Sequence, residues 1–223
     1  MRSYQFELVG RTPLLVHADD IEGADRLTEW RKDPANKNFS KPGDDRSPPW
    51  TWATYLYTDG ILLVIPSDNL MVALRSAGAQ FILKKQKTFK SLTQTGLFIP
   101  EDMPLLVGGN QIKNADIEAI TKLDTFVQQA EAAKKLGFSL FMKRAKVSTS
   151  KHIRVRARIE DWSLKGVVRV IKDEITEDIL SNIFKIAGED YGLCDWRPGS
   201  PKSPGPFGTF ETRLNLMKES KAA

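Results

Sequence analysis

The sequence predicts an α+β fold in which two helices cover one face of an antiparallel sheet. The segment KHIRVRARIEDW, residues 151–162, alternates apolar and polar side chains, as a half-buried strand does. Residues 67–84 instead repeat apolar side chains at helical spacing, after Pro66 has ended the preceding strand. Residues 176–188 predict a second helix, with Thr176 as its N-cap and two acids in its first turn.

Composition limits the class of protein. The chain has 223 residues, a hydrophobic fraction of 41% and a formal net charge of +5, which predicts a single domain over residues 1–223 with large insertions. No apolar run approaches about 18 residues and no secretory signal is evident, so we expect a cytoplasmic protein without membrane contact. The single cysteine, Cys194, excludes an internal disulfide, and two histidines are too few for the common zinc sites. No metal or cofactor is predicted.

The N-terminal part begins with a strand and a long insertion. Residues 4–10, YQFELVG, alternate as a strand does. Residues 17–57 start with acids, Pro, Gly and few apolar side chains and end in the aromatic-rich PPWTWATYLY. They predict a long loop or insertion that closes with a turn or short helix. A strand at 61–65 then leads into the first helix, where Ser67 or Asp68 can cap the free N–H groups.

A second insertion, residues 85–137, separates the first helix from the arginine-rich strand. Its apolar clusters predict short strands at 97–99 and 105–107. Apolar residues at near-helical spacing predict one helix over 116–135, with acids at its start and lysines at its end.

The C-terminal part completes the sheet. The arginine-rich strand is followed by a partner strand at 164–171, the helix at 176–188, a Gly- and Pro-rich loop at 189–208 and a final strand at 209–217. Without the insertions, the order is β-α-β-β-α-β. This is the ferredoxin-like, or RRM-like, arrangement, in which the second face of the sheet is free to bind a ligand.

Basic residues are concentrated in two stretches. Residues 69–100 contain five basic side chains and no acid, and residues 143–172 contain ten against only Glu160 and Asp161. Because the whole chain carries only +5, the remainder is acidic. A basic footprint on an acidic body predicts a polyanionic partner, of which nucleic acid is the common case.

Three arginines would project together from the alternating strand. Arg154, Arg156 and Arg158 lie on one face, with about 6.6–6.8 Å between neighbours. This spacing is close to the repeat of a nucleic-acid backbone, and guanidinium groups bind phosphate in a bidentate manner. The alternative is a solvated strand face, which ordinarily mixes charges of both signs. The strand contains no acid between these arginines, which favours phosphate binding.

Two further segments carry charge and aromatic side chains. The segment KKQKTFK at 84–90 is either a solvated helix end or, through Phe89, a stacking platform for a base. In the Gly-rich loop, glycines allow close approach of a phosphate while Trp196, Arg197 and Lys202 supply stacking and charge. The alternative is a surface loop with structural glycines. The loop precedes a strand and lacks the phosphate-loop ending, which disfavours nucleotide hydrolysis.

Lys143, Arg144, Lys146 and His152 are predicted to extend the surface of the three arginines. The residues assigned to RNA binding come from four parts of the chain. They are Arg75, Lys84, Lys85, Lys87, Lys90, Lys143, Arg144, Lys146, His152, Arg154, Arg156, Arg158, Trp196, Arg197 and Lys202.

The sequence nominates no catalytic residue. His17 lies near Asp19 and Asp20 and could act as a base with an orienting carboxylate, but histidines at strand ends are usually structural. Asp44 and Asp45 fall in a loop, where solvation explains them.

Three stretches together resemble the backbone subunits of the CRISPR-associated RAMP superfamily, which line a guide RNA. These are YQFELVGRTPLL, the strand-to-helix junction IPSDNLMVALR at 65–75, and the Gly-rich loop with the final strand. Met71 and Val72 replace the Lys-Gly pair usual in the family signature, and Gly192-Leu193-Cys194 stands for its glycine-hydrophobic-glycine turn. The residues that match the junction signature are Ile65, Pro66, Ser67, Leu70, Leu74 and Arg75.

The resemblance implies a function and a set of partners. It implies an RNA-binding subunit that oligomerises along a guide RNA and presents it for pairing with a target nucleic acid, with other effector subunits as partners. The junction would place helix-start N–H groups and Arg75 beside RNA, and residues 17–57 would form a thumb-like insertion. Two alternatives remain open. One is a phage or prophage single-strand nucleic-acid-binding or recombination protein without a guide, and the other is an RNA endonuclease using an insertion aspartate and a divalent metal.

Overall fold

A computed structural model of the chain describes residues 1–41, 43–84, 87–147 and 150–217, without the side chains of residues 146, 147, 150 and 151. It shows a mixed α+β chain with antiparallel sheets. The strands are β1 (Arg2–Gly10), β2 (Leu14–Leu15), β3 (Val64–Ile65), β4 (Ile82–Lys84), β5 (Lys87–Thr88), β6 (Leu97–Phe98), β7 (Met103–Val107), β8 (Asn110–Gln111), β9 (Phe138–Val147), β10 (Ser150–Ile159), β11 (Trp162–Val170) and β12 (Phe210–Leu216). The helices are α1 (Ile21–Lys32), α2 (Ser67–Gly78), α3 (Lys90–Gly96), α4 (Asn114–Thr121), α5 (Phe126–Lys135) and α6 (Glu177–Ile186), with short 3₁₀ segments at Pro34–Asn36 and Thr51–Tyr55 and a π segment at Ala187–Tyr191.

The larger sheet has the strand order β12-β1-β11-β7-β3, and each neighbouring pair is antiparallel. Alternation along β1 buries Tyr4, Phe6 and Leu8 on one face and exposes Gln5 on the other. The ring centroids of Phe6 and Phe184 lie 5.6 Å apart, so α6 covers the apolar face. α2 packs beside α6 and contributes to the same core.

The arginine-rich strand belongs to a second sheet. β10 forms a hairpin with β9, and β2 pairs with its other edge. The strand predicted at 164–171 is present as β11, but its predicted pairing with the arginine-rich strand is wrong, because β11 pairs with β1, β6 and β7. Alternation assigns the two faces of a strand without identifying its neighbours, which is why the sequence did not indicate β9 as the partner.

Several element boundaries differ from those predicted. α2 ends at Gly78, and the end of the segment expected to continue it to residue 84 forms β4, which pairs with β5. The helix predicted at 116–135 is divided into α4 and α5, because Thr125 starts α5 with a capping box. The strand predicted at 61–65 is confined to β3.

The last third of the chain follows its local signals. Thr176 caps α6, and its Oγ1 accepts the N–H of Ile179 at 3.4 Å, as predicted. The final strand is present as β12. None of the described helices has the length and apolar character required to cross a bilayer.

The insertion at 17–57 packs on the core through its aromatic end. It contains α1, which the sequence did not indicate, and the predicted short helical turn. Trp52 in this turn is fully buried, and its Nε1 donates to Oε1 of Gln129 at 2.7 Å. The amide nitrogen of Gln129 donates to the carbonyl oxygens of Thr121, the last residue of α4, and of Leu123 just after it. One buried amide therefore joins the insertion to α4 and α5.

We expect Gln129→Leu to lower the free energy of unfolding by about 1–3 kcal/mol, because the Trp52 N–H and two carbonyl groups lose their partner. Urea unfolding followed by tryptophan fluorescence measures the loss. Glu131→Gln, at an exposed position of the same helix, is the control and should change stability by less than about 0.5 kcal/mol. Equal effects of the two substitutions would contradict this role for Gln129.

Candidate nucleic-acid interface

The register of the β9–β10 hairpin decides which basic residues share a face. Lys143 lies opposite Arg154 and Phe141 lies opposite Arg156, so all four belong to one face. Arg144 lies opposite Ile153, which places it on the other face and corrects the prediction that it extends the arginine surface. This face therefore carries cations from both strands of the hairpin and the aromatic ring of Phe141.

Two other residues predicted to extend this surface have different outcomes. His152 is opposite Ala145, on the same face as Arg154, and its ring lies against Gly43. The side chain of Lys146 is outside the described part of the chain.

Carboxylates neutralise the three arginines in part. Asp45, from the insertion, accepts Nη1 of Arg154 through Oδ1 and Nη1 of Arg156 through Oδ2, each at 3.1 Å. It also accepts the backbone N–H of Val155 at 3.1 Å. Arg158 pairs with Glu160 at 2.8 Å. The three arginines are therefore not free of counter-charges, although the strand has no acid between them, because Asp45 reaches them from a distant part of the sequence and Glu160 follows the strand.

Arg156 is a structural residue. It is only 7% exposed, and its guanidinium carbon lies 3.9 Å from the ring centroid of Tyr55. Its Nη2 lies 3.3 Å from Nε2 of His17, and its Nε lies 3.7 Å from Asp195. A group with so many internal contacts fixes the hairpin on the insertion and has little surface left for a ligand.

His17 is held in its neutral form within this cluster. Because a guanidinium can only donate hydrogen bonds, Nε2 of His17 accepts from Arg156. Nδ1 then carries the proton and faces Oδ2 of Asp195 at 3.7 Å. Burial, followed by the positive charge of Arg156, lowers the pKa of His17. The carboxylate beside Nδ1 is Asp195 of the Gly-rich loop, and Asp19 and Asp20 are exposed.

The Gly-rich loop uses its glycines to pack on itself. Cys194 and Trp196 adopt positive φ angles of 61° and 47°, which bulky side chains rarely accept. A Cβ at Gly205 would collide with Trp196, and a Cβ at Gly208 would collide with the backbone of Leu193. These close approaches support the structural alternative for the glycines and hold Trp196 in one orientation.

A cavity of about 300 Å³ lies between the hairpin face and this loop. Nζ of Lys143 sits 2.7 Å from the ring centroid of Trp196, and desolvation there lowers the pKa of Lys143. Phe207 packs against the Trp196 ring, with 5.3 Å between the ring centroids. The lining also includes Arg154, whose side chain is 35% exposed. Lys143, Arg154 and Trp196, all predicted RNA-binding residues, are thus brought together.

The remaining predicted residues lie elsewhere. Arg75 is half-buried on α2, and the start of that helix is occupied by Asp102, whose Oδ1 accepts the Ser67 N–H at 2.8 Å. Capping by Ser67 or Asp68 is therefore a wrong prediction, since no side chain of the helix start performs it. The Arg197 guanidinium donates to the carbonyl of Cys194 at 3.0 Å and braces the loop.

The described lysines of the lysine-rich segment lie on two short strands and at a helix start instead of at a helix end. Lys84, Lys87 and Lys90 are exposed on β4, on β5 and at the start of α3. Phe89 is 5% exposed and packs in the core, so it offers no stacking platform. Lys85 lies outside the described residues, and Lys202 is exposed on the Gly-rich loop.

The acids of the insertion have separate environments. Asp44 is paired with Arg46 at 2.7 Å, and this hydrogen bond lowers the pKa of Asp44. Asp45 is the partner of Arg154 and Arg156. Within the described ranges, no group of three or more His, Cys, Asp or Glu side chains is placed to hold a metal ion.

Sequence reasoning missed most partners of the site. Asp45, Asp195 and Tyr55 complete the Arg156 cluster, and Phe141 lines the cavity. The only signal for them was the position of Asp195 beside Trp196 in the Gly-rich loop, since the other three come from segments without a motif.

We expect Asp45→Ala to lower the free energy of unfolding by about 3–5 kcal/mol, because it leaves the buried Arg156 without its main counter-charge. Glu160→Ala removes the counter-charge of the more exposed Arg158 and should cost less than about 1 kcal/mol. Chemical unfolding of both variants measures the difference, and a small effect at Asp45 would show that Arg156 does not depend on it.

We expect Cys194 to resist thiol reagents in the native protein, because burial raises the pKa of its thiol to about 12. Reaction with a disulfide reagent at pH 8 should be complete only after unfolding in guanidinium chloride. Gly205→Ala, which forces a Cβ against Trp196, should open the loop and accelerate the reaction. Labelling of the native protein at the rate of a free thiol would contradict the packed loop.

Comparison with known proteins gives no relative from which a function for this surface could be inferred. The chain matches no family model and no curated protein. A functional conclusion therefore depends on the contacts, charge and burial described above.

Proposed function

We propose that this chain binds single-stranded RNA across the face of the β9–β10 hairpin and the Gly-rich loop. The observation that carries the proposal is the meeting of Lys143, Arg154 and Trp196 at one cavity. Trp196 is half-buried, and an aromatic ring beside cations is the usual chemistry of single-strand binding, because bases stack on the ring while cations contact phosphates. Among its lining residues the cavity has three cations, Lys143, Arg154 and Arg156, against one acid, Asp195.

The proposal gives the three arginines unequal roles. Arg156 holds the hairpin to the insertion, and Arg158 is shared with Glu160. Arg154 shares Asp45 but keeps about a third of its side chain exposed at the cavity. Lys143 is exposed and forms no ion pair with a described carboxylate. Phosphate contact is therefore assigned first to Lys143 and Arg154.

We also propose a ferredoxin-like core for the chain. In support, the four principal strands of the larger sheet follow the order β12-β1-β11-β7, which has the first and third strands at the centre. α2 follows β1 in the chain and α6 follows β11, and these two helices pack together. In this assignment β7 replaces the arginine-rich strand as the second strand of the core. The β9–β10 hairpin is then an addition to that core.

As the biological setting we propose a CRISPR-type effector ribonucleoprotein, in which copies of this chain line a guide RNA. The support is the resemblance of the 65–75 junction and the Gly-rich loop to RAMP backbone subunits, together with the cation-aromatic surface that the loop forms. Sequence readout would then come from pairing of the guide with a target nucleic acid, and the protein would hold the backbone. Other copies of the chain and other effector subunits are its proposed partners.

Binding should depend on Lys143 and on ionic strength. Fluorescence anisotropy with a labelled 20-nucleotide RNA, titrated at several salt concentrations, measures affinity and its salt slope. We expect Lys143→Gln to weaken binding and to reduce the magnitude of the slope by about 0.7, the value for one lost phosphate contact with a single strand. Arg154→Gln should have a similar effect, provided that its melting curve shows a folded protein.

Arg144→Gln is the matched control, because it removes the same charge from the opposite face of the same strand. An equal loss of affinity in Arg144→Gln and Lys143→Gln would overturn the assignment of the binding face. Discrete RNA of uniform length should copurify with the protein from its native operon. Equal affinity for single-stranded DNA without such RNA would favour a guide-free phage-type binding protein instead.

A further inference from the structure

The cavity beside Trp196 has the dimensions and lining of a small-molecule site. Its volume of about 300 Å³ is at the lower end of the range for ligand pockets. Leu15, Phe141 and Ala145 supply an apolar wall, whereas Ser200 and Ser203 supply hydroxyl groups from the Gly-rich loop. An RNA strand that lay along an open surface would not need such a recess. Its apolar lining suits one flat, apolar group such as an aromatic ring.

The Trp196 ring, which lines the cavity, is held in place by its surroundings. Trp196 occupies the left-handed backbone region at φ 47°, and its Nε1 donates to the carbonyl of Pro204 at 3.2 Å. Phe207 packs beside the ring, and Gly205 provides the space that the ring needs. Uncommon backbone conformations of bulky residues are concentrated at functional sites, where surrounding structure maintains them. The ring is therefore preorganised for stacking before a ligand arrives.

Lys143 covers the face of the ring that a base would use. Its ammonium group lies 2.7 Å from the ring centroid, in a cation–π contact. The side chain has four flexible carbons, so the ammonium group can leave the ring without moving the strand. Desolvation at the ring already disfavours the charged form, and a phosphate beside Arg154 would offer it a better partner. Entry of a base and release of Lys143 to phosphate are thus compatible.

We propose that this cavity is a nucleotide site, in which one base stacks on Trp196 while its phosphate is bound by Lys143 and Arg154. The proposal rests on the proposed function, because it assigns a specific role to the same surface. The nucleotide is either a free nucleoside monophosphate or one unstacked residue of a bound strand. Both sources present the same base and phosphate to the cavity.

Two fluorescent probes distinguish the sources. One is 2-aminopurine ribonucleoside monophosphate, and the other is a 20-nucleotide RNA that carries a single 2-aminopurine, moved along the strand in a series of probes. Stacking on Trp196 should quench either probe when it occupies the cavity. Quenching of the free nucleotide supports a mononucleotide site, and quenching at particular strand positions supports capture from RNA. Absence of quenching with both probes would overturn the proposal.

Variants test the two halves of the site separately. We expect Trp196→Leu to reduce the affinity of the quenched probe by about tenfold or more, whereas Trp196→Phe keeps an aromatic face and should lose less. Trp30→Leu, which lines a different groove, is the control and should change nothing. Lys143→Gln should weaken the monophosphate but not the nucleoside that lacks phosphate. Equal binding by Trp196→Leu and the unsubstituted protein would contradict the stacking role.

Failure of this proposal can be separated from failure of the proposed function. If RNA still binds with a Lys143-dependent salt slope but no probe is quenched, the strand follows the surface without entering the cavity. If RNA binding itself is absent, both conclusions fall. Resistance of Cys194 to thiol reagents reports whether the Gly-rich loop of each variant is still packed.

Discussion

The arrangement of this protein depends on one buried carboxylate. Asp45 bridges Arg154 and Arg156 and also accepts a backbone N–H of the same strand, so three donors of β10 converge on one side chain from the insertion. A guanidinium with 7% exposure requires such a partner, because an unpaired buried charge is strongly destabilising. The insertion is thus part of the folded core. It fixes the position of the arginine-rich strand, on which Arg154 keeps part of its side chain exposed at the cavity.

The same pairing changes the electrostatic character of the surface. A row of three free arginines would attract any polyanion, but here most of their charge is compensated within the protein. The positive charge that remains is local: Lys143 lies on the indole ring of Trp196, and part of Arg154 is exposed at the same cavity. In the proposed function, a ligand that combines an aromatic ring with a phosphate matches this surface, because it contacts both the indole ring and the cations.

The Gly-rich loop folds tightly on itself and holds the Trp196 ring at the cavity. Positive φ angles at Cys194 and Trp196 persist because Gly205 and Gly208 allow the loop to fold tightly on itself. Asp195, between the two strained residues, faces both His17 and Arg156. The loop is therefore tied to the hairpin and to the segment that follows β2, which explains how three distant parts of the chain form one cavity.

The sequence by itself determined the elements whose signals are local: the alternating first and last strands, the threonine-capped α6, and the division of β10 into an apolar face and a basic face. It also singled out Trp196, Lys143 and Arg154, which the structure brings to one cavity, because charge and aromatic groups are visible in a linear chain. Strand partners, the division of α4 from α5 and the ion pairs of Asp45 were decided only in the tertiary structure. Those features depend on register and on contacts between residues far apart in the chain, and neither periodicity nor composition records which distant segment a side chain will meet.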